Sequence, residues 1–281
     1  MHTITWLKRF FMRIQGTIIA IACMALLSAC ATSPTGRSQL MLVSEQQAIN
    51  DSAQAYVQTM AALEKQGKVD NAPALKARVD HITGRLITEA IKLRPETRDW
   101  KWSMKIIDDP KTVNAWCMAG GRMALYTGLV EKIQPTDDEL AQVIGHEISH
   151  ALANHTAEKM SVAMASSLGV MAVAVASDHR GAAATAAAAA ALAVTLPNSR
   201  SAETEADRIG IELAAKAGYD PRAAATLWDK MGKAAGSAPP QFLSTHPSSD
   251  NRQQRLSELE EAMMPYYLDK RPHPVYKLAS D

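Results

Sequence analysis

Apolar positions recur along most of this chain at helical spacing, with one interruption where the period falls to two. From Ser44 to about Lys65 the pattern is amphipathic, and Ser44 with Gln47 has the form of a capping box. A second helix is predicted over Pro73–Leu93, stopping before Pro95. Trp100, Trp102, Met104 and Ile106 then alternate with polar residues, which predicts a strand with one buried face. A strand over Val113–Cys117, a turn at Gly120-Gly121 and a strand over Arg122–Thr127 complete a small antiparallel sheet. A short helix over Leu129–Ile133 follows. The next helix carries Leu140, Val143, Ile144, Ala151 and Leu152 on its apolar side, and Thr136 with Glu139 opens it as a capping box.

Met160–Ser177 reads as one helix, and the Ala-rich run Gly181–Leu196 as its partner. Alanine offers little apolar area and a charged turn separates the arms, so a packed hairpin over the 160–196 region is expected, not a membrane hairpin. A helix from Ser199 ends at Gly218, and Asp220-Pro221 starts another that runs through Trp228. Phe242–Pro247 is expected to be extended, and a last helix from Ser249 to Met264 to halt at Pro265. The fold class is α+β and predominantly α-helical, with the sheet beside the helix that carries the chemistry.

The N-terminus departs from this picture. Lys8, Arg9 and Arg13 precede an apolar run, Thr17–Leu27, too short to span a bilayer as an ordinary helix. Leu27-Ser28-Ala29-Cys30 has the form of a bacterial lipobox. Residues 1–29 are therefore expected to be a lipoprotein signal peptide and Cys30 the lipidation site, where two acyl chains give stable anchoring. Residues 30–43 then form the lipidated cysteine and tether, 44–264 the catalytic domain, and 265–281 a surface tail. Ala31 after the cysteine suits sorting to the outer membrane of a Gram-negative bacterium. A net charge of +1 over 281 residues, with no basic block, argues against nucleic acid as a partner. Three cysteines make neither a disulfide framework nor a cysteine metal site, and Cys117 is expected to be buried.

The candidate chemistry is His146-Glu147-Ile148-Ser149-His150. On a helix His146 and His150 share a face, so both imidazoles can hold one zinc ion. Glu147 is placed to reach the attacking water and not to bind the metal itself. Downstream, Glu203, Glu205 and Asp207 open a helix. Glu203 and Asp207 share a face, so one can bind metal while the other supports a histidine, which favours Glu203 over Glu205 without excluding the latter. His155, the rival ligand, lies nine residues past His146, about two and a half helical turns on, so it rotates off the ligand face and reads as a polar-surface histidine.

Several motifs in order resemble the zinc metallopeptidase family of the CAAX prenyl protease, HtpX and Oma-type enzymes, and most nearly its periplasmic lipoprotein (LoiP-like) branch. They are Asn114-Ala115, Tyr126-Thr127-Gly128-Leu129, His146-Glu147-x-x-His150, Ser199-Arg200-x-x-Glu203-x-Glu205-Ala206-Asp207 and Thr245-His246-Pro247. The resemblance implies a zincin-like, gluzincin-type domain holding one Zn2+ per chain. It implies Glu203 as third ligand and Asp207 behind a histidine. His246 would bind zinc in a resting form or stabilise the oxyanion, and Arg252 would serve the same oxyanion role. Asn114 and Ala115 would bind substrate along an edge strand. The expected function is a lipid-anchored periplasmic endopeptidase acting on unfolded or misassembled envelope and outer-membrane proteins. The competing expectation is a periplasmic chaperone or assembly factor for outer-membrane proteins, with a latent zinc site.

Overall fold

The computed structural model describes residues 30–177, 199–234, 241–247, 251–269 and 271–279. The leader and the Ala-rich arm of the expected hairpin lie outside these residues. So does the 235–240 loop.

The described chain starts with a two-stranded hairpin, β1 (Cys30–Thr32) and β2 (Ser38–Leu40), followed by helices α1 (Glu45–Glu64) and α2 (Pro73–Leu93). Strands β3 (Ser103–Ile107), β4 (Ala115–Cys117) and β5 (Arg122–Tyr126) come next. Helices α3 (Thr127–Ile133), α4 (Asp137–Leu152) and α5 (His155–Ser177) follow without further strands. The rest is α6 (Arg200–Lys216), α7 (Ala223–Lys233), a short α8 (Gln241–Thr245) and α9 (Arg252–Tyr267). No helix among the described residues is long and apolar enough to cross a membrane.

The capping signals act as the sequence suggests. Ser44 accepts from the Gln47 amide, and Thr136 with Glu139 forms a reciprocal capping box at the start of α4. The sheet has the order β3-β5-β4, with β4 antiparallel to β5 and β3 parallel to it, so it is mixed. A parallel neighbour needs a long connection, and the turn at Asp108–Thr112 plus β4 itself supplies it. Both faces of the sheet are covered. Met104, Ile106 and Leu125 join the main core with Leu86, Leu140 and Ile144, while Ile107 and Ala124 pack under Tyr56 and Met60 of α1. That double burial explains why the alternating pattern ends at two consecutive isoleucines. β4 stands at the sheet edge beside α4.

Several expectations change. Residues 30–43 are no loose tether: Thr32–Ser38 and Cys30–Leu40 pair as a hairpin that packs on α5 and α6. α7 begins at Ala223, because Asp220 spends its side chain on the Arg222 amide and guanidinium in a turn. Phe242–Thr245 is helical, not extended, with Thr245 bonding back to the Gln241 carbonyl. Pro265 lies inside α9 and does not stop it. One missing amide near a helix end removes a single bond, and the helix continues for two more residues. Residues 271–279 are pinned by Tyr276 N to Gly84 O and by Ala279 N to Trp102 O.

Candidate active site

Two helices carry the site. α4 holds His146, Glu147 and His150, and α6 crosses it carrying Glu203, Glu205 and Asp207. Thr136 and Ser199 cap these helices, so the side chains stand at fixed heights above their N-termini.

The crossing brings the expected ligands together. His146 Nε2 and His150 Nε2 stand 3.0 Å apart. Glu203 Oε2 is 3.2 Å from the first and Glu203 Oε1 3.3 Å from the second. His246 Nδ1 lies 3.3 Å from His146 Nε2 and 3.1 Å from Glu203 Oε1. One donor atom from each of these four buried residues falls within 4.8 Å of the others. Donors bound tetrahedrally to one zinc at about 2.0–2.1 Å would stand roughly 3.3 Å apart. Imidazole and carboxylate are also the donors zinc prefers, so the residues fit the ion in spacing and in kind.

Electrostatics differ between the two imidazoles. Burial pushes His150 well below its ordinary value, leaving a neutral ring with a lone pair to give. Burial also acts on His146, but the Asp207 and Glu203 carboxylates outweigh it and push that ring up to about 9. Glu203 is held far below the usual carboxylate range despite burial, by His146, His150 and His246. Burial raises Glu147, which moves it toward the range of a general base.

Glu147 opens into a cleft of about 530 Å³, together with His150, His246, Trp116, Cys117 and Met160. Glu147 Oε1 is buried without a hydrogen bond among the described residues and lies 3.4 Å from His246 Nε2. Phe242 holds the His246 ring by stacking at 4.6 Å between centroids, and its own amide donates to Val113 O at 3.1 Å.

The remaining predicted residues are placed as follows. Asp207 Oδ1 is 3.1 Å from His146 Nδ1, on the ring edge away from the cluster. Arg252 donates from Nη2 to that same Asp207 oxygen, and its guanidinium lies 3.4 Å over the Trp228 ring. It is buried behind the cluster and does not line the cleft. Asn114 and Ala115 are buried at the β4 edge and are not among the residues lining the cleft, where Trp116 and Cys117 stand. Cys117 is buried, and burial pushes its thiol up.

One residue was misplaced by sequence reasoning. His155 is not on the polar surface: it is 4% exposed and its Nδ1 lies 2.8 Å from His150 Nδ1. Glu205 is equally buried and meets His155 Nε2 at 3.2 Å. The extrapolation failed because α4 ends at Leu152. Asn154 takes φ +56°, and His155 starts a new helix aimed back at the site.

This fold and this donor cluster define a metallopeptidase domain. The sequence model of peptidase family M48 matches residues 73–260, and the chain belongs to that family. Peptidases of the family use zinc. The chain is 39% identical to the mitochondrial metalloendopeptidase OMA1 of Arabidopsis thaliana over 59% of its own length and 33% of the relative's. It is 32% identical to metalloendopeptidase OMA1 of Homo sapiens, covering 80% of this chain and 44% of that one. It is also 32% identical to the beta-barrel assembly-enhancing protease of Escherichia coli, covering 50% and 31%. The chain thus spans less than half the length of these curated relatives.

Proposed function

We propose that this protein is a zinc-dependent endopeptidase of the periplasmic lipoprotein (LoiP-like) branch, anchored through lipid on Cys30 to the outer membrane of a Gram-negative bacterium. Its substrates are unfolded or misassembled envelope and outer-membrane proteins. The observation that carries the catalytic reading is the convergence of His146, His150 and Glu203, with Glu147 Oε1 lacking a hydrogen bond beside the adjoining cleft. The names of the bacterial relatives support the substrate class, and the lipobox pattern at Cys30 supports the anchor.

In this reading His146 Nε2, His150 Nε2 and Glu203 hold the ion. Zinc, when bound, supplies Lewis acidity, lowering the pKa of a water to about 7 and polarising the peptide carbonyl. Glu147 accepts the proton of the attacking water at its unpaired Oε1 and delivers it to the departing amine nitrogen. Asp207 fixes the His146 ring from behind, and Arg252 holds Asp207 in place. The free edge of β4 pairs with an extended substrate, which reads backbone and so suits disordered polypeptides. His246, 3.3 Å from His146 Nε2 and 3.1 Å from Glu203 Oε1, would add a fourth donor to the ion and so restrain the enzyme at rest.

The test is casein cleavage by the full chain purified in detergent, with zinc content measured on each variant. Glu147→Gln should keep about one zinc per chain and lose roughly 10²–10⁴ in rate. Full cleavage by that variant, or a wild type without zinc, would overturn the reading. Loss of membrane fractionation in Cys30→Ser checks the anchor, and unchanged membrane retention would refute it.

A further inference from the structure

A buried polar chain leaves the cluster through His155, which also borders the cleft, and is not used by the proteolytic reading. It starts at His150 Nδ1, which is 2.8 Å from His155 Nδ1. His155 Nε2 continues to Glu205 Oε2 at 3.2 Å. Thr35 Oγ1 donates to Glu205 Oε1 at 2.6 Å, and Arg37 Nε donates to Glu205 Oε2 at 2.7 Å. The same guanidinium forks onto Glu158, with Nη1 and Nη2 each 2.6 Å from a carboxylate oxygen. Gln39 closes the group, donating to Glu158 Oε2 at 2.9 Å and to the Ala153 carbonyl at 2.7 Å. The His155 and Glu205 side chains are only 3% and 2% exposed, so water does not substitute for these bonds.

The order of donors follows from the ring chemistry. With His150 Nε2 turned toward His146 Nε2 and Glu203, the proton of its neutral ring resides on Nδ1. His150 Nδ1–H then donates to the Nδ1 lone pair of His155. His155 carries its proton on Nε2 and donates to Glu205. Every member is satisfied in this single arrangement, which fixes both tautomers. A ligating histidine usually rests on a carboxylate directly, as His146 does on Asp207. His150 reaches its carboxylate through a second imidazole.

We infer that His155, Glu205 and Arg37 are positioning residues for His150, and that the hairpin beginning at Cys30 is thereby part of the support of the metal centre. Arg37 is the residue that closes the circuit. Glu158 and Glu205 are two buried or half-buried carboxylates on different helices, and only a forked cation reaches both at once. The hairpin therefore does what a flexible tether could not: it fixes Glu205, and through His155 the tautomer and tilt of a ligand imidazole. This rests on the reading of His150 as a ligand.

The experiment uses the full chain. Zinc affinity is measured by chelator competition, the visible absorption of the cobalt-substituted protein is recorded, and melting of each metal-free variant controls for folding. His155→Leu removes the acceptor, and His155→Gln restores one. Glu205→Gln removes the charge with little change of shape, and Arg37→Ala removes the clamp. His155→Leu is expected to weaken zinc by about 10–100-fold and to shift the cobalt bands, with Glu205→Gln and Arg37→Ala weakening it less. His155→Gln is expected to recover most of the loss. Unchanged affinity and bands in folded His155→Leu and Glu205→Gln would overturn the inference. Equal losses in the Leu and Gln variants would also overturn it, making His155 a packing residue. His150→Ala with wild-type zinc affinity would overturn the ligand reading itself.

Discussion

Gly145 on α4 and Gly210 on α6 touch backbone to backbone. A Cβ on Gly145 would stand 2.9 Å from the Gly210 carbonyl oxygen, and one on Gly210 would stand 2.9 Å from His146 N. This contact sets how near the helix of His146 and His150 comes to the helix of Glu203, so it sets the ligand spacing. Alanine at either position is favoured by helix propensity and disfavoured by the neighbouring backbone, which cannot turn away as a side chain can. Gly210→Ala should cost about 1–3 kcal/mol in stability. It should also lower zinc affinity while helical circular dichroism stays unchanged. Unaltered zinc retention against a chelator would show that the cluster tolerates a wider crossing.

His246 lies where a fourth ligand would lie, 3.1 Å from Glu203 Oε1 and 3.3 Å from His146 Nε2. A histidine held there blocks the corner that a water and a peptide carbonyl need. His246→Ala should retain zinc and cleave casein several-fold faster than wild type, most visibly at low substrate. A slower variant with zinc retained would assign His246 to assisting the reaction, and not to restraining it.

Much of this was legible because the determinants are local. The α4 capping box, the 146/150 pair and the 203/207 face depend on residues within one helix, where periodicity speaks directly. What was missed depends on chain reversals or on contacts distant in sequence. His155 was misplaced by one left-handed residue, Asn154. The hairpin over residues 30–40 looked like a tether because Thr32–Gln39 is rich in Ser, Thr, Pro and Gly. Its order comes from Arg37 bonds to Glu158 and Glu205, more than a hundred residues away. Glycines 145 and 210 carried no signal, since a small residue in a helix announces neither its partner nor its closeness.

Asp207 and Arg252 act on the cluster from behind. Asp207 Oδ1 sits between His146 Nδ1 and the guanidinium, and Trp228 lies under the latter. Lysine at position 252 keeps the charge but neither forks nor stacks as well. Arg252→Lys should therefore weaken zinc modestly, and Asp207→Asn by about 10–100-fold. Both should leave the KM for a peptide substrate nearly unchanged, because neither residue lines the cleft. A large rise in KM with zinc retained would instead place Arg252 against the substrate.

Glu139 gives the start of the active-site helix a pH dependence with a definite sign. Its carboxylate accepts from Thr136 N at 2.8 Å, Lys230 Nζ at 2.6 Å and Thr226 Oγ1 at 2.9 Å. Burial opposes ionisation, yet Lys230, Thr136 and Thr226 outweigh it and hold the group below its ordinary value of 4.5. The folded state therefore binds this proton less readily than the unfolded chain. The charged form contributes stability in full above about pH 4.5, and the contribution is lost as pH falls through the lower folded value. Glu139→Gln keeps an acceptor for the Thr136 amide but loses the charge that Lys230 meets. The variant should melt lower than wild type at pH 7, by an amount equivalent to about 1.5–3 kcal/mol, with the gap closing below pH 4.5. A gap that is constant from pH 7 to pH 3.5 would mean that shape, and not charge, is what Glu139 contributes to the cap.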